Sequence, residues 1–408
     1  MRWSLKAWAA AAALCAGAGA AVADYTDGVI KIGVLNDQSG LYSDLSGQGS
    51  VWAARKAVED YCKANACATK IEVVFADHQN KPDVGSNVVR QWYDVDKVDV
   101  VVDVPTSSVA LAVNTITKDK NKVFLVSGAA SADLTGKACT PNTVHWTYDT
   151  WSLANGTANA IVKTGGDTWF FLTADYAFGA SLEAEVSKVV TANAGTVVGS
   201  VKHPLNSADF SSFLLQAQSS KAKIIGLANA GGDTINAIKQ AGEFGLVKGG
   251  QRVAALLIFP SDVQSLGLKV AQGPSFTETF YWDLNDGTRA FSKRFSERMK
   301  NKAQPSMVQA GVYSGLIHYF KTLDAMSGNP HDGAKVVAKM KELPTDDPLF
   351  GKGSIRVDGR KIHPAYLFEV KKPEESKAPW DYYKLIGTTP GDQAFRPLSE
   401  STCALVKK

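Results

Sequence analysis

Small polar residues follow two of the chain's β-branched segments. Thr106-Ser107-Ser108 comes directly after the segment 98–104, and Gly128-Ala129-Ala130-Ser131 follows the segment 123–126 closely. In open α/β sheets, ligands bind beyond the carboxyl ends of the strands, where helix N-termini present unpaired N–H groups and a partial positive charge. The two clusters therefore predict a shared pocket for an anionic group such as a carboxylate. The alternative is that each hydroxyl only caps its own helix.

Motifs that support catalysis are missing from the sequence. It contains no G-x-x-x-x-G-K-[ST] loop, no G-x-S-x-G, no H-E-x-x-H and no C-x-x-C, and Gly47-Gln48-Gly49 lacks the third glycine of a dinucleotide loop. The histidines are scattered singly, at His78, His145, His203, His318, His331 and His363. We therefore expect a protein without catalysis, cofactor or metal. The alternative, an enzyme of doubly wound fold, needs a nucleophile–base pair or a cofactor loop that the motifs do not provide.

Strand-like and helix-like segments alternate along the chain in two series. In the first series, the predicted strands are 29–35, 70–76, 98–104 and 123–126, and the predicted helices are 47–61, 83–94 and 109–118. The second series has predicted strands 168–173, 196–202, 224–228, 253–259 and 276–281, with predicted helices 180–193, 210–219, 234–244, 288–300 and 307–326. This alternation predicts βαβ units and parallel sheets covered on both faces. The fold class is therefore α/β, with two doubly wound parallel-sheet lobes.

The N-terminus has the three parts of a secretory leader. Arg2 and Lys6 precede a short apolar run, and Ala21-Val22-Ala23 offers a small-x-small cleavage pattern. We expect residues 1–23 to be a signal peptide that directs the chain to the periplasm. We expect the remaining chain to be soluble because it has no further apolar stretch of about 18 residues. Without Arg2 and Lys6 the formal charge falls from +4 to +2, and no basic cluster indicates nucleic-acid binding.

Four cysteines remain after the predicted leader. An even number in an oxidising compartment favours disulfides. Cys62 and Cys67 would close a small local loop, and Cys139 and Cys403 would attach the C-terminal tail to an earlier loop. The alternative is four buried free thiols.

Five segments in order resemble the branched-chain amino-acid-binding proteins, which are type I periplasmic solute-binding proteins of ABC importers. They are Ile32-Gly33-Val34-Leu35-Asn36-Asp37-Gln38-Ser39-Gly40, Val73-Val74-Phe75-Ala76-Asp77, Ser107-Ser108, the segment 127–131, and Thr173-Ala174-Asp175-Tyr176-Ala177-Phe178-Gly179. The similarity covers essentially the whole chain after the leader. It implies two lobes that close on a ligand and three crossover segments.

Lobe boundaries follow from that resemblance. We expect 24–147 and 277–352 to form lobe 1, 148–276 and 353–386 to form lobe 2, and 387–408 to be a tail attached to lobe 1. The crossovers are expected near Trp146, near 278–281 and near 351–353.

The resemblance also implies roles for particular residues. Ser108 and Ser131 would donate hydroxyls to the ligand carboxylate, while Ala129 and Ala130 would offer backbone groups. Tyr42 and Tyr176 would pack on the ligand from opposite lobes, and Asp262 lies near the position where the amino-acid binders place an acid for the ligand ammonium.

Two departures from the family pattern bear on the ligand. Asn229-Ala230-Gly231-Gly232 stands where the amino-acid binders tend to have aromatic residues, and Trp282 lies near a crossover. Small residues at one wall and an indole at the other would suit a flat ligand, as in family members that take up aromatic acids. Trp282 could equally be a packing residue of the hinge.

The sequence thus predicts a monomeric binding protein that delivers a branched-chain amino acid or an aromatic carboxylate to an ABC importer permease. A binding protein that docks on a membrane receptor as a sensor is the alternative partner assignment.

Overall fold

The computed structural model describes residues 28–65, 67, 69–326 and 330–407. The predicted leader lies outside these residues. Within them, no helix is both long enough and apolar enough to span a membrane.

The first lobe is built on a five-stranded parallel sheet. Its strands are β1 (Val29–Asn36), β2 (Lys70–Asp77), β3 (Val100–Asp103), β4 (Val123–Val126) and β5 (Thr143–His145), in the order β2-β1-β3-β4-β5. The connecting helices are α1 (Gly47–Asn65), α2 (Pro82–Gln91) and α3 (Ser107–Asp119). Every residue of β3 and β4 is buried, as expected for parallel strands covered on both faces.

The second lobe repeats this plan with four parallel strands. They are β6 (Thr168–Ala174), β7 (Thr196–His203), β8 (Ile224–Ala228) and β9 (Arg252–Ala255), in the order β7-β6-β8-β9. The helices of this part of the chain are α4 (Thr150–Leu153), α5 (Asn159–Lys163), α6 (Ala177–Ala192), α7 (Ser211–Ser219), α8 (Gly232–Glu243), α9 (Pro260–Leu266) and α10 (Leu268–Ala271).

The last third of the chain adds to both lobes. Its elements are β10 (Ser275–Glu278), α11 (Asp286–Ser296), α12 (Met307–Ala325), α13 (Gly333–Glu342), β11 (Thr345–Asp347), β12 (Gly351–Ile355), β13 (Lys361–Ile362), β14 (Ala365–Val370), β15 (Tyr383–Thr389) and α14 (Gly391–Ala394). The small antiparallel sheet β11-β12-β13 lies beside the first lobe, because Arg360 forms a backbone bridge with His145 at the end of β5. The antiparallel sheet β10-β14-β15 lies beside the second lobe.

Strand alternation divides the first lobe's core between the two faces of its sheet. Ile32 and Val34 pack with α1 and α12 on one face, while Leu35 and Val101 pack with α2 and α3 on the other. α12 is buried around most of its circumference, which explains why its sequence is apolar on all sides.

Three crossovers join the lobes. The predicted crossovers near Trp146 and near 278–281 fall directly after β5 and at the end of β10, and both positions stay predictions. The predicted third position, 351–353, falls within β12, which pairs with β11 and β13 beside the first lobe. We therefore propose that the third crossing, and with it the boundary between the lobes, lies at His363 and Pro364.

The four cysteines pair as predicted. The sulfurs of Cys62 and Cys67 are 2.10 Å apart, and those of Cys139 and Cys403 are 1.95 Å apart. The second pair joins the tail to the loop that precedes β5.

Candidate functional site

A small cavity lies between the two lobes, at the carboxyl ends of both parallel sheets. Its lining consists of Tyr42, Leu45, Pro105, Gly128, Ala130, Tyr148, Tyr176, Phe178, Ala230, Leu257 and Phe259. Five of these side chains are aromatic rings, and none of the lining residues carries a charged side chain. The cavity measures about 10 Å³, which is room for roughly one water molecule.

A larger groove of about 710 Å³ lies elsewhere on the second lobe. It is lined by Ile224 and Arg252, which begin β8 and β9. The groove is therefore at the amino ends of these strands, whereas ligands of open α/β sheets bind beyond the carboxyl ends. The cavity between the lobes is the candidate site.

Tyr42 is held in place by the loop that follows β1. The carboxylate of Asp37 accepts hydrogen bonds from the backbone N–H groups of Gly40, at 2.6 Å, and Tyr42, at 2.9 Å. The side chain of Asn80 donates a third bond to the same carboxylate, at 2.6 Å. These bonds fold the loop so that the buried Tyr42 ring faces the second lobe.

The lobes touch in this conformation. The hydroxyl oxygens of Tyr42 and Tyr176 are 2.5 Å apart, and the backbone N–H of Gly232 donates to the carbonyl of Leu41 at 3.3 Å. Gly231 has a φ of +56°, and a Cβ atom there would lie 2.4 Å from the Leu41 carbonyl oxygen. A glycine is therefore required where the second lobe approaches the first. The cleft is closed.

The loop after β3 has an unusual backbone. Asp103 and Val104 have φ values of +81° and +54°, a region that β-branched residues such as valine rarely adopt. The buried Asp103 carboxylate accepts hydrogen bonds from Asn36 at 2.9 Å and Ser46 at 2.7 Å, so neighbouring loops hold this backbone in place. Backbone strain of this kind is concentrated at ligand sites.

Ser107 joins the two predicted anion-binding segments. Its hydroxyl oxygen accepts hydrogen bonds from the backbone N–H groups of Ala130, at 3.3 Å, and Ser131, at 3.2 Å. The two segments are therefore adjacent at the edge of the first sheet, as their positions after neighbouring strands predicted.

The predicted carboxylate ligands Ser108 and Ser131 are not among the residues that line the closed cavity. Ser108 is half-buried in the first turn of α3, and Ser131 is buried with its hydroxyl accepting from the N–H of Asp133 at 3.4 Å. Ala130 lines the cavity, while the carbonyl of Ala129 contacts Nε2 of His145 at 2.7 Å. The roles of these four residues stay predictions.

Two residues predicted in the second lobe serve its internal structure. The Asn229 side chain contacts Nε2 of His203 at 3.0 Å and accepts from the Thr234 hydroxyl at 2.7 Å. The Asp262 carboxylate accepts from the backbone N–H of Phe259 at 2.9 Å, at the start of α9. Each lies next to a lining residue, Ala230 and Phe259 respectively, but neither lines the closed cavity.

Trp282 lies apart from the cavity. Its indole N–H donates to the carbonyl of Trp380 at 2.9 Å, and its ring is 5.8 Å from that of Tyr281. These contacts match the alternative interpretation, in which Trp282 packs at the second crossover.

Three lining rings were not identified from the sequence: Tyr148, Phe178 and Phe259. The Tyr148 hydroxyl donates to the carbonyl of Gly128 at 2.7 Å, and the Tyr148 and Phe259 rings meet edge to face at 6.4 Å. Phe178 belongs to the segment 173–179 that carries the family resemblance, so its position after β6 was the available signal. Tyr148 follows the first crossover and had no comparable signal.

Two buried acids lie close to the cleft. Burial raises the pKa of Asp262 to about 7, and the neighbouring Asp44 carboxylate contributes to this increase. Burial and the neighbouring Asp262 raise the pKa of Glu278 well above its usual value. The Tyr383 hydroxyl lies beside the Glu278 carboxyl, but the contact lacks the geometry of a hydrogen bond.

The arrangement is suited to binding. Two helices, α3 and α6, begin at the cleft without a side-chain cap on their first turn, so their N–H groups are free to contact an anion. The rings would pack on an apolar body. Within the described part of the chain, no group of three or more His, Cys, Asp or Glu side chains could hold a metal ion.

Comparisons with known proteins agree with this architecture. Residues 29–377 match the family model described as a periplasmic binding protein. A periplasmic binding protein from Burkholderia mallei superimposes with a TM-score of 0.90 at 49% identity, over 93% of this chain and 100% of that chain. A branched chain amino acid ABC transporter periplasmic ligand-binding protein from Burkholderia xenovorans LB400 gives a TM-score of 0.80 at 39% identity, over 93% and 100% of the two chains.

A curated relative leads to the same family. A Leu/Ile/Val-binding protein homolog 6 from Brucella melitensis is 25% identical over 369 residues, which are 87% of this chain and 91% of the relative. The resemblance predicted from the sequence motifs is confirmed. This chain belongs to the periplasmic binding protein family, and its two lobes have the type I fold of the solute-binding proteins of ABC transporters.

Proposed function

We propose that this protein is the periplasmic solute-binding component of an ABC importer, and that it captures a small carboxylate with an apolar body by closing its two lobes. The observation that carries the proposal is the lining of the cleft, where five rings from both lobes and the first crossover surround a site without a charged side chain. Such a site stabilises a flat, apolar body by burial and ring contacts. An aromatic carboxylate is therefore the first candidate.

The carboxylate group would be bound by dipoles, since no cationic side chain lines the cavity. The first turns of α3 and α6 approach the cleft from opposite lobes, and each has free N–H groups and a partial positive charge. The hydroxyl groups of Tyr42 and Tyr176, together with those of Ser108 and Ser131, are further donors for this group.

Ligand entry requires the lobes to separate. The closed cavity of about 10 Å³ is far smaller than a ligand pocket of about 300 Å³ or more. Separation of the Tyr42 and Tyr176 hydroxyls would open the cleft, and the two hydroxyls would meet again when the lobes close on the ligand.

A branched-chain amino acid is the second candidate, and Asp262 is the observation that favours it. This buried acid adjoins the lining residue Phe259, and its pKa is raised to about 7. An ammonium group near Asp262 would favour the ionised carboxylate and lower this pKa. Binding of an amino acid near neutral pH would then release a proton.

Calorimetry with benzoate, 4-hydroxybenzoate and leucine, repeated in buffers of different ionisation enthalpy, tests both candidates. Benzoates that bind without proton release support the first candidate. Leucine that binds with proton release, which is lost in Asp262→Asn, supports the second. If no organic acid binds to the wild type, the proposed function is wrong.

The importer assignment also predicts the partner and the oligomeric state. A monomer in light-scattering measurements, and loss of ligand uptake in cells that lack the protein, are the expected results. Uptake that continues while a ligand-induced response disappears would support a sensor that docks on a membrane receptor. Turnover of any ligand would support the enzyme alternative.

A further inference from the structure

The C-terminal tail after β15 crosses from the second lobe to the first. β15 pairs with β14 beside the second lobe, and Cys403 is bonded to Cys139 of the first lobe. The tail is thus a fourth connection between the lobes, in addition to the three crossovers.

Several contacts fix the middle of the tail to the first-lobe side. Nη1 of Arg356 donates to the carbonyl of Arg396 at 2.7 Å, and the guanidinium of Arg360 lies 4.5 Å from the centre of the Phe395 ring. Arg356 and Arg360 flank the turn between β12 and β13, which are beside the first lobe. The tail therefore follows the first lobe when the lobes move.

The segment also reaches the second lobe, where Phe395 shares a buried cluster with Ala365 at the start of β14 and the side chain of Arg396 contacts α6. Nη2 of Arg396 donates to a carboxylate oxygen of Glu185 at 2.5 Å, and the side chains of Arg396 and Glu185 are only 23% and 11% exposed. Lys188 contacts the same carboxylate at 3.2 Å from the same helix, but it is 65% exposed. Glu185 thus has one partner within its own lobe and one partner on the tail.

Glu185 belongs to α6, the helix whose N-terminal end positions two residues of the cleft. Phe178 is in the first turn of α6, and Tyr176 precedes that turn. A contact that holds α6 against the first-lobe side therefore favours the conformation in which Tyr176 meets Tyr42. Opening of the cleft would move α6 away from the tail.

We infer that the ion pair of Arg396 and Glu185 is a latch between the lobes, and that Arg396 is a positioning residue that strengthens ligand binding without touching the ligand. The effect on affinity rests on the proposed function, because capture by closure makes affinity depend on the fraction of closed protein. The latch itself does not depend on the identity of the ligand.

The test compares Arg396→Gln with Lys188→Gln, which removes the other cation from the same carboxylate. Small-angle scattering of the ligand-free protein should show a larger radius of gyration for Arg396→Gln and no change for Lys188→Gln. Whichever of benzoate, 4-hydroxybenzoate and leucine binds to the wild type should dissociate about two- to fivefold faster from Arg396→Gln, as expected for one partly exposed ion pair. Equal radii and dissociation rates for wild type and Arg396→Gln would overturn the latch.

Exchanging the charges of Arg396 and Glu185 distinguishes loss of the latch from general destabilisation of the fold. The double variant Arg396→Glu/Glu185→Arg should restore the wild-type radius of gyration, whereas each single exchange should enlarge it. If Arg396→Gln does not fold, Glu185→Gln replaces it with the same expected result. Because scattering is measured without ligand, a latch can be found even if every candidate ligand fails to bind.

Discussion

The hydroxyl groups of Tyr42 and Tyr176 lie 2.5 Å apart, although 134 residues separate them in the sequence. Tyr42 follows β1 and Tyr176 follows β6, and each of these strands occupies the second position in its sheet. In both sheets, the next strand in the sequence is added on one side of this strand, and the later strands are added on its other side. Open α/β sheets bind ligands at this point of reversal. The two tyrosines therefore hold equivalent positions in the two lobes, and they face each other across the cleft.

Removal of either hydroxyl should weaken the closed form. We expect Tyr42→Phe and Tyr176→Phe each to reduce ligand affinity by about two- to tenfold, since one neutral hydrogen bond contributes about 0.5–1.5 kcal/mol. In a double-mutant cycle measured by calorimetry, the two effects should not add, because the variants remove the same contact. Tyr93→Phe is the control, since its hydroxyl contacts Thr117 within the first lobe. Additive effects would contradict a shared contact in the bound state.

The serines after β3 and β4 should differ in their roles. Ser108→Ala and Ser131→Ala should each weaken ligand binding by about ten- to a hundredfold, because a hydrogen bond to a charged group contributes about 1.5–3 kcal/mol. Ser107→Ala should lower the melting temperature as well, because its buried hydroxyl accepts from two backbone N–H groups. Calorimetry and thermal unfolding distinguish these effects. Unchanged affinity in both Ser108→Ala and Ser131→Ala would place the carboxylate elsewhere.

Glu278 should make stability depend on pH. Its pKa in the folded protein is well above the unfolded value, so the folded state binds the proton more tightly. The contribution of the Glu278 carboxyl to the free energy of unfolding is fully present below about pH 4, and it is lost as the pH rises towards the pKa of the folded state. The free energy of unfolding of Glu278→Gln, measured relative to that of the wild type at the same pH, should therefore increase with rising pH by up to about 1.4 kcal/mol per pH unit. Denaturant unfolding between about pH 5 and about pH 8 measures the difference, and a constant difference would show that Glu278 is ionised in the folded protein.

The two disulfides should contribute unequally to stability. Cys139 and Cys403 are 264 residues apart, whereas Cys62 and Cys67 are 5 apart, so the first bond restricts the unfolded chain far more. Replacement of both cysteines by serine should cost about 5–6 kcal/mol for the long-range pair and about 2 kcal/mol for the local pair. Alkylation of the unreduced, denatured wild type should label neither pair. Labelling at any of these four cysteines would contradict the pairing.

Much of the parallel architecture could be predicted from the sequence. The strands β1, β2 and β4 begin at the predicted residues, because buried β-branched runs bounded by small residues are distinctive. The short antiparallel strands β11, β12 and β13 were not predicted. Segments of two to five residues carry too little periodicity, and their pairing depends on contacts with distant parts of the chain.

The site was less predictable than the fold. Tyr42, Tyr176 and Ala130 line the cavity, and their contacts with a ligand stay predictions. The position of a residue after a strand does not reveal the direction in which its side chain points. Asn229 turns towards His203, and Trp282 bonds to Trp380, a residue almost a hundred positions later. These orientations are set by tertiary partners that the local sequence does not identify.

The alternation of the chain between the lobes has a consequence for the order of folding. α12 completes the core of the first lobe against α1, yet it is reached only after every strand of the second lobe's parallel sheet has been made. A chain that emerges with its N-terminus first therefore cannot bury the apolar face of its first sheet until three quarters or so of its length is available. The many contacts between distant segments should also make folding slow. Until then, the apolar face of the first sheet stays uncovered, and an incomplete chain is prone to associate through it.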